Sequence, residues 1–531
     1  MHIARFVSAA ALAAAAFLGA TSARAFCGFY VAGNDAPLYN NATQVVLMRE
    51  GTRTVLAMQN NYEGPAAGFA MVVPVPVVLQ KANVKTLPRE LFAKVDQLDA
   101  PRLVEYWEQD PCYVPPPAKS VYYDRMESAG AARTKDKSDG ERGVKVEARF
   151  SVGEYDIVIL SAKDASGLEG WLQQEKYAIP PGAAPYLRPY VQSGSKFFVA
   201  KVDPAKVVFQ RGMAKLSPLR FHYDAENFSL PVRLGLMNAK GAQDLIVHIL
   251  AQNQRYEVTN YPNVAIPTNF DVTEKTKGNF GAFYAALFDE TVKRHPKAVV
   301  TEYSWDATTC DPCPGPVLDE QDFLTLGADV LGGEQDYHSR SNGGFTITRL
   351  HARYTKDSLG EDLYFRAAPP IVGGREMVQE GGKLEQGAHP DQTNNFQGRY
   401  SIRHPWTGPI ACKNPVRGVW GEPPASVSDA NRSRVQPVAD TAFARRDLAL
   451  ASFATNVPAG NLLGAASAAP GPTGASVEPV AESDAGGPAG PPSTPAPRGC
   501  GGCNSGAGSE SVLASLLALV TLAVVRQRRK R

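Results

Sequence analysis

The stretch Gln44-Val45-Val46-Leu47-Met48-Arg49-Glu50-Gly51-Thr52-Arg53-Thr54-Val55-Leu56-Ala57-Met58-Gln59 decides the fold class. Two apolar runs flank Glu50-Gly51, so 44–49 and 52–59 read as strands joined by a tight turn. Moving outward, Tyr62-Glu63-Gly64-Pro65 turns the chain again. Gly68 to Val75 is then a nearly all-apolar strand, closed by Pro74 and Pro76. Leu87, Leu91, Phe92, Val95 and Leu98 follow at helical spacing, with Pro88 suited to a first helical turn. A meander followed by a helix predicts a β-rich α+β fold.

Further along, 128–143 mixes charges with Gly and Ser without periodicity and reads as a surface loop. Strand patterns return over 144–161, ending in Ile157-Val158-Ile159-Leu160. Asp164 or Ser166 opens a helix to Tyr177 that packs Leu168, Trp171 and Leu172. Phe197 to Lys201 is another strand. From Phe221 the order starts again, with strands over 230–237, 244–252 and 256–258 and a stop at Asn263-Val264-Ala265-Ile266-Pro267. A helix over 280–295 then carries Phe283, Leu287 and Phe288 on one face. After each helix comes Glu105-Tyr106-Trp107 or Glu302-Tyr303-Ser304-Trp305, and then Asp110-Pro111-Cys112 or Asp311-Pro312-Cys313. This recurrence predicts two related halves, 26–200 and 201–376. An irregular extension over 377–454 comes next.

The chain has 531 residues, of which 44% are hydrophobic and 20% charged, an ordinary globular composition. Taking Arg5 and Arg24 away with a leader removes two positive charges. Removing residues 504–531 takes away five basic residues and Glu510, so the full-length +2 becomes about −4. An acidic body without a basic run argues against a nucleic-acid partner.

Both ends read as address signals. Arg5, the apolar stretch from Phe6 to Ala20 and Ala23-Arg24-Ala25 form a secretory leader over 1–25, cut between Ala25 and Phe26 by signal peptidase. Residues 455–498 hold 9 Pro, 7 Gly and 10 Ala with only four charges. They read as a flexible stalk with a reach of ~35–40 Å. The tail, 499–531, sets Gly499-Cys500-Gly501-Gly502-Cys503 before the apolar run 512–525 and the basic end Arg526 to Arg531. As a helix, that run of 14 residues spans about 21 Å, short of the ~30 Å hydrocarbon core. The basic end keeps its own side cytoplasmic and the body outside. Small-residue cysteine motif, short apolar helix and basic end together resemble the MYXO-CTERM surface-sorting tail. The resemblance implies a sorting protease that removes the helix, and lipid on Cys500 or Cys503. A permanent transmembrane anchor is the alternative, and either end state tethers the body to a membrane.

Five more cysteines sit in the body: Cys27, Cys112, Cys310, Cys313 and Cys412. An exported chain places them where disulfides persist. Cys27 with Cys112 is the expected long bridge, and the other three compete for a second. Cys310-Asp311-Pro312-Cys313 is the one motif that could carry chemistry alone, as a thiol–disulfide pair. A redox cysteine sits at a helix N-terminus, which lowers its pKa, whereas Cys313 is followed by Pro314-Gly315-Pro316. A structural disulfide is therefore the favoured reading, and metal binding with His338 or His351 is disfavoured for want of a second ligand pair. His248 and His351 lie in strand patterns and read as packed or surface residues. Neither a nucleophile elbow nor a Walker loop occurs, and the Gly pairs at 332, 343, 373 and 381 read as turns. Glu361-Asp362 reads as β, with its carboxylates on opposite faces. Tyr106, Trp107, Tyr113, Tyr122 and Tyr123 could form a binding platform, although packing is their simpler use.

Residues 27–376 also resemble the bacterial domain of unknown function 2330. The matching segments are Cys27-Gly28-Phe29, Tyr62 to Pro65, Phe69 to Pro76, Leu87 to Phe92, Val152 to Asp156, Trp305, Cys310 to Cys313, and Thr348 to Tyr354. The resemblance implies an exported bacterial protein and transfers no catalytic residue. The chain thus reads as an exported, membrane- or surface-anchored envelope protein with a binding or structural ectodomain. No catalytic residue, metal or cofactor is assigned. The alternative is an extracytoplasmic thiol–disulfide oxidoreductase using Cys310 and Cys313.

Overall fold

In the computed structural model the deciding stretch forms a hairpin, and its apolar residues are buried on both faces. Val45 and Leu47 enter one core cluster while Val46 and Met48 enter another. Successive side chains of a strand point to opposite faces, so an unbroken apolar run marks a strand covered on both sides. The structure describes residues 29–32, 39–63, 69–112, 144–238, 242–332, 344–424, 435–438 and 446–463, with short interruptions inside some of these spans. The predicted loop 128–143, both chain ends and Cys27 lie outside the described residues. The described residues belong to one unit.

The principal elements in chain order are β1 (Phe29–Ala32), β2 (Tyr39–Glu50), β3 (Arg53–Glu63), β4 (Phe69–Val75), α1 (Arg89–Asp99) and β5 (Arg102–Glu108). Then come β6 (Val144–Val152), β7 (Tyr155–Ala162), α2 (Ala165–Gln174), α3 (Ala184–Gln192), β8 (Lys196–Val202) and β9 (Leu219–Asp224). The remainder are β10 (Gln243–Gln252), α4 (Phe280–Arg294), β11 (Val299–Asp306), α5 (Glu320–Leu326), β12 (Phe345–Tyr354) and β13 (Arg399–His404). The fold is α+β and rich in strand, as the sequence predicts. Pro88 caps α1 from an extended conformation, and the Asp164 carboxylate accepts the Gly167 N–H at the start of α2.

Two sheets stack face to face. One is antiparallel in the order β1-β4-β8-β7-β6. The other, of 14 strands, contains β3-β2-β10-β12-β11 in sequence across its middle, with β2 and β10 parallel and the other pairs antiparallel. Between them Met71, Val73, Ile157, Ile159, Phe198 and Ala200 meet Leu245, Val247, Ile249 and Leu350. The outer face of the first sheet is covered by α2 and α3, through Leu168, Leu172 and Leu187. On the outer face of the second lie α1 and α5, through Leu91, Phe92, Val95 and Phe323, while α4 meets it at Val300 of β11. The layers are therefore helix, sheet, sheet, helix. A third, small sheet built on the parallel pair β5–β13 packs against α4 through Leu103, Tyr400 and Ile402.

Several expectations need correction. Residues 233–238 form a 3-10 turn rather than the end of a strand, and only Ser229–Leu230 before it pairs as a strand, against 363–364. Helix α3 is an addition to the sequence reading. Residues beyond 376 are not simply irregular: β13 is buried, Phe453 is fully buried against α4, and 461–462 pair with 264–265. The recurrence of helix, aromatic strand and Asp-Pro-Cys is local. β5 lies in the small sheet and β11 in the large one, Cys112 pairs with Cys412, and Cys313 pairs with Cys310. The two cysteines do not occupy matching positions, and strands from 26–200 and 201–376 interleave in one sheet. The expected Cys27–Cys112 bridge is replaced by Cys112–Cys412, whose Cα atoms are 5.5 Å apart.

Candidate functional site

The chemistry-bearing residues gather where α1 and α4 cover the large sheet. Along β10 and β12 a period of two sends Leu245, Val247, Leu350 and Ala352 into the sandwich. The alternate positions Asp244, His248, Arg349, His351 and Arg353 go to the helix side. Cross-strand register sets Asp244 opposite Arg353, and His248 opposite Arg349. On β11 the register slips between Thr301 and Tyr303, leaving Glu302 as the extra residue of a bulge. A bulge re-aims a side chain, and Glu302 meets both Arg349 and His351.

The result is a continuous buried ion network. Arg349 donates through Nε to Glu302 at 2.6 Å and through Nη1 to Asp96 at 2.6 Å and Asp99 at 2.8 Å. His351 faces Glu302 through Nδ1 at 2.6 Å and Asp244 through Nε2 at 3.2 Å, and stacks on Phe288. Asp244 accepts from Arg353 at 2.6 Å and Arg446 at 3.2 Å. The Tyr284 hydroxyl donates to Glu302, and His248 Nδ1 pairs with Asp99 at 2.6 Å. Glu302, Asp99 and His248 are completely buried.

Burial alone would push the Glu302 carboxyl up, but the charge and hydrogen bond of His351, with Arg349, hold it down at about 2. Asp244 is likewise held low against burial by His351, Arg353 and Arg446. Burial works against the His351 imidazolium, yet Glu302 and Asp244 raise its pKa. Tyr284 is pushed well above its ordinary value by burial and by Glu302. Both ring nitrogens of His351 are taken up by carboxylates of the fold, Nδ1 by Glu302 and Nε2 by Asp244, which argues against a base or metal-ligand role. Asp96, Asp99 and His248 bring their ligand atoms within 4.8 Å of one another. The Arg349 guanidinium already bridges both of those carboxylates and supplies the cation there. The arrangement locks α1 and the two sheet strands together; it is a clamp.

Of the predicted site residues, Cys310 and Cys313 form a disulfide with Cα atoms 4.9 Å apart. Cys313 is exposed and Cys310 half-buried against the α1 cluster. The next helix begins only at Glu320, so neither sulfur sits at a helix N-terminus. The loop is held by its carbonyls: Arg102 donates to Pro312 O at 2.8 Å, Gln97 to Pro314 O at 2.8 Å, and Gln397 to Asp311 O. Cys112 and Cys412 tie the end of β5 to the chain after β13. Tyr106 is buried and Trp107 stacks on His404, at 4.7 Å between ring centroids. Tyr113, Tyr122, Tyr123, His338, Cys500, Cys503 and the cleavage site at Ala25 and Phe26 lie outside the described residues. A cavity of about 430 Å³ opens beside Leu103, Glu105, Lys277, Pro314 and residues 435–437. In it the Glu105 carboxylate is held by Lys277 at 2.7 Å and His404 at 2.9 Å. Glu361-Asp362 lies in a bend, not a strand, and Asp362 accepts from Tyr190 and the Val232 and Arg233 N–H groups.

The sequence reading placed His248 and His351 as packed or surface residues; both are buried, and their carboxylate partners were missed. The available signal was Arg349-x-His351-x-Arg353, three cations at strand period with Leu350 and Ala352 between them. Such a strand must bury its charges if both faces are covered, and buried cations need acids.

The family model described as "Uncharacterized protein conserved in bacteria (DUF2330)" matches residues 21–366. No curated protein and no solved structure matches the chain.

Proposed function

The chain belongs to the bacterial family DUF2330, and we propose that it is an exported envelope protein whose body serves as a binding or structural ectodomain. The observation that carries this reading is the Cys112–Cys412 disulfide, which closes a separation of 300 residues in a body that also holds Cys310–Cys313. Disulfides of this kind persist in oxidising compartments, which agrees with a leader over 1–25. The buried ion network supports a structural rather than a catalytic use, since its carboxylates hold cations of the fold itself. The cavity beside Glu105 and Lys277 is of the size that takes a small ligand.

In this proposal the stalk, 455–498, holds the body off the membrane. The tail is processed as in MYXO-CTERM proteins, ending in lipid on Cys500 or Cys503. Among the described residues no helix is long and apolar enough to cross a membrane, and the apolar run 512–525 is not among them. The test is the intact mass of protein isolated from its native membrane, with and without reduction and alkylation. A mass ending near Cys500 or Cys503 with a lipid increment supports sorting. A mass running to Arg531 means a permanent anchor and removes the sorting part. A mass that begins at Met1 removes the leader.

The exposed Cys313 sulfur favours a second reading, thiol–disulfide exchange at Cys310 and Cys313. Mild reductant followed by alkylation of the native protein labels these two cysteines if that is their work. Protection of both under conditions that reduce a small-molecule disulfide excludes it.

A further inference from the structure

Arg102, Arg220, Arg255 and Arg399 are fully buried. Two of them have carboxylate partners: Arg220 meets Asp329 at 2.6 Å and Arg255 meets Glu257 at 2.8 Å. Arg102 and Arg399 are different. They stand opposite each other in the parallel register of β5 and β13, so both project from the same face of the small sheet. Neither makes an ion pair among the described residues. Arg102 gives its two Nη groups to the main-chain carbonyls of Leu98 and Pro312, and its Nε is without a partner. Arg399 gives Nε to the Asn269 side-chain oxygen at 3.1 Å, while Nη1 and Nη2 both lack an acceptor. On the same strand face the buried Ser401 hydroxyl also has no partner.

The nearby acids Asp99, Asp311 and Glu385 act on the two arginines through space, but none makes an ion pair with either. The Asp311 carboxylate accepts the Glu376 N–H at 3.2 Å, Glu385 is gripped by Arg375, and Asp271 holds Arg403 at 2.9 Å. The remaining close contacts of the two guanidiniums are aromatic, Arg102 over Tyr303 and Arg399 over Tyr106. Burial disfavours the charge on each of them more than its surroundings restore it: Tyr303 and Asp99 favour the charge on Arg102 and Arg399 opposes it, while Tyr106, Asp311 and Glu385 favour the charge on Arg399 and Arg403 opposes it. A buried cation without a directly paired carboxylate is unfavourable, and a guanidinium fork with both outer nitrogens free matches the two oxygens of an oxyanion.

We propose that Arg399, with Ser401 and the charge of Arg102, forms a buried binding site for a small oxyanion, beneath the loop that carries Cys310 and Cys313. The ligand is an inorganic tetrahedral anion or the carboxylate end of a small molecule. Because Arg102 also grips Pro312 O, the anion fixes that loop. This proposal is independent of export and anchoring.

The test is thermal unfolding of the full mature chain titrated with phosphate, sulfate or acetate at constant ionic strength in chloride. Binding to the folded state alone gives a saturable rise in midpoint, and the unfolding equilibrium constant falls about 100-fold when free anion reaches about 100 times its dissociation constant. Saturation by phosphate or sulfate marks a tetrahedral ligand, and saturation by acetate alone marks a carboxylate. Arg399→Lys keeps a charge but loses the fork, so it shifts the saturating concentration upward by more than about tenfold, while Ser401→Ala shifts it less. A linear rise that never saturates and is the same in wild type and Ser401→Ala is general salting-out and overturns the proposal. If Arg399→Lys does not fold, the wild-type titration still decides. Its failure to saturate with any of the three anions overturns the site.

Discussion

A Glu302→Gln substitution keeps the shape of the side chain and removes its charge. In the wild type the carboxylate accepts from Arg349 Nε and His351 Nδ1, both at 2.6 Å, and from the Tyr284 hydroxyl, with no solvent exposure. A carboxyl held at about 2 rather than 4.5 contributes on the order of 3 kcal/mol at neutral pH, since each tenfold change in proton affinity is worth about 1.4 kcal/mol. Breaking one partner of a buried pair costs about 3–5 kcal/mol. The lower end applies here, because Arg349 keeps Asp96 and Asp99 and His351 keeps Asp244.

The pH dependence is set by the direction of each shift. Glu302 and Asp244 are depressed, so their contribution is present above the ordinary carboxylate range and fades as pH falls through their folded values. His351 is raised, so its contribution is complete below its ordinary value near 6.5 and is lost as pH rises through the folded value. The three together favour stability between roughly pH 4.5 and 6.5. Chemical denaturation of both proteins across about pH 3 to 9 measures this. The expected difference is largest near pH 6, shrinks towards pH 3, and is accompanied by a weaker alkaline loss in Glu302→Gln. Equal stability at pH 6, or a difference that does not change with pH, refutes the argument that Glu302 acts through its charge.

Other measurements test other parts of the structure. Removing the long bridge with Cys112→Ser and Cys412→Ser together lowers stability by about 6 kcal/mol at most, by the loop-closure argument for a separation of 300 residues, and calorimetry checks it. Phe453→Ala, at a fully buried ring edge-on to Phe283, costs about 3–5 kcal/mol by denaturant titration. A chain cut after Arg366, where the family match ends, loses β13 and the partner strand of β5. Far-ultraviolet and near-ultraviolet dichroism of that fragment should show lost tertiary packing, and a fully cooperative transition in it would disprove the role assigned to β13.

What could be read from the sequence was whatever repeats along it. The Gln44–Gln59 hairpin, the Phe69–Val75 strand and the α1 and α4 helices announce themselves by apolar periodicity and by turns, because each is covered by partners close in kind. The rest depended on chain brought from far away. Leu230 to Met237 carries the apolar content of a strand, but only Leu230 pairs as one and the chain from Arg233 tightens into a 3-10 turn, a choice made by tertiary packing rather than by propensity. β13 is hidden between Gly398 and Pro405 in a Gly- and Asn-rich region, and becomes a strand because β5 offers it a parallel edge nearly 300 residues away in sequence. The buried network combines both limits. The alternation of Arg349, His351 and Arg353 is visible within one strand, whereas the acids that answer it come from α1, β10 and the bulge in β11. A cation at strand period therefore signals that an acid must exist, and only the topology says which. Arg399 is the case where that inference goes furthest: the strand buries the guanidinium, and the chain brings it an amide oxygen and a ring, while Asp311 and Glu385 act on it only through space and no carboxylate bonds it. That missing ion pair is the reason to look for an anion there.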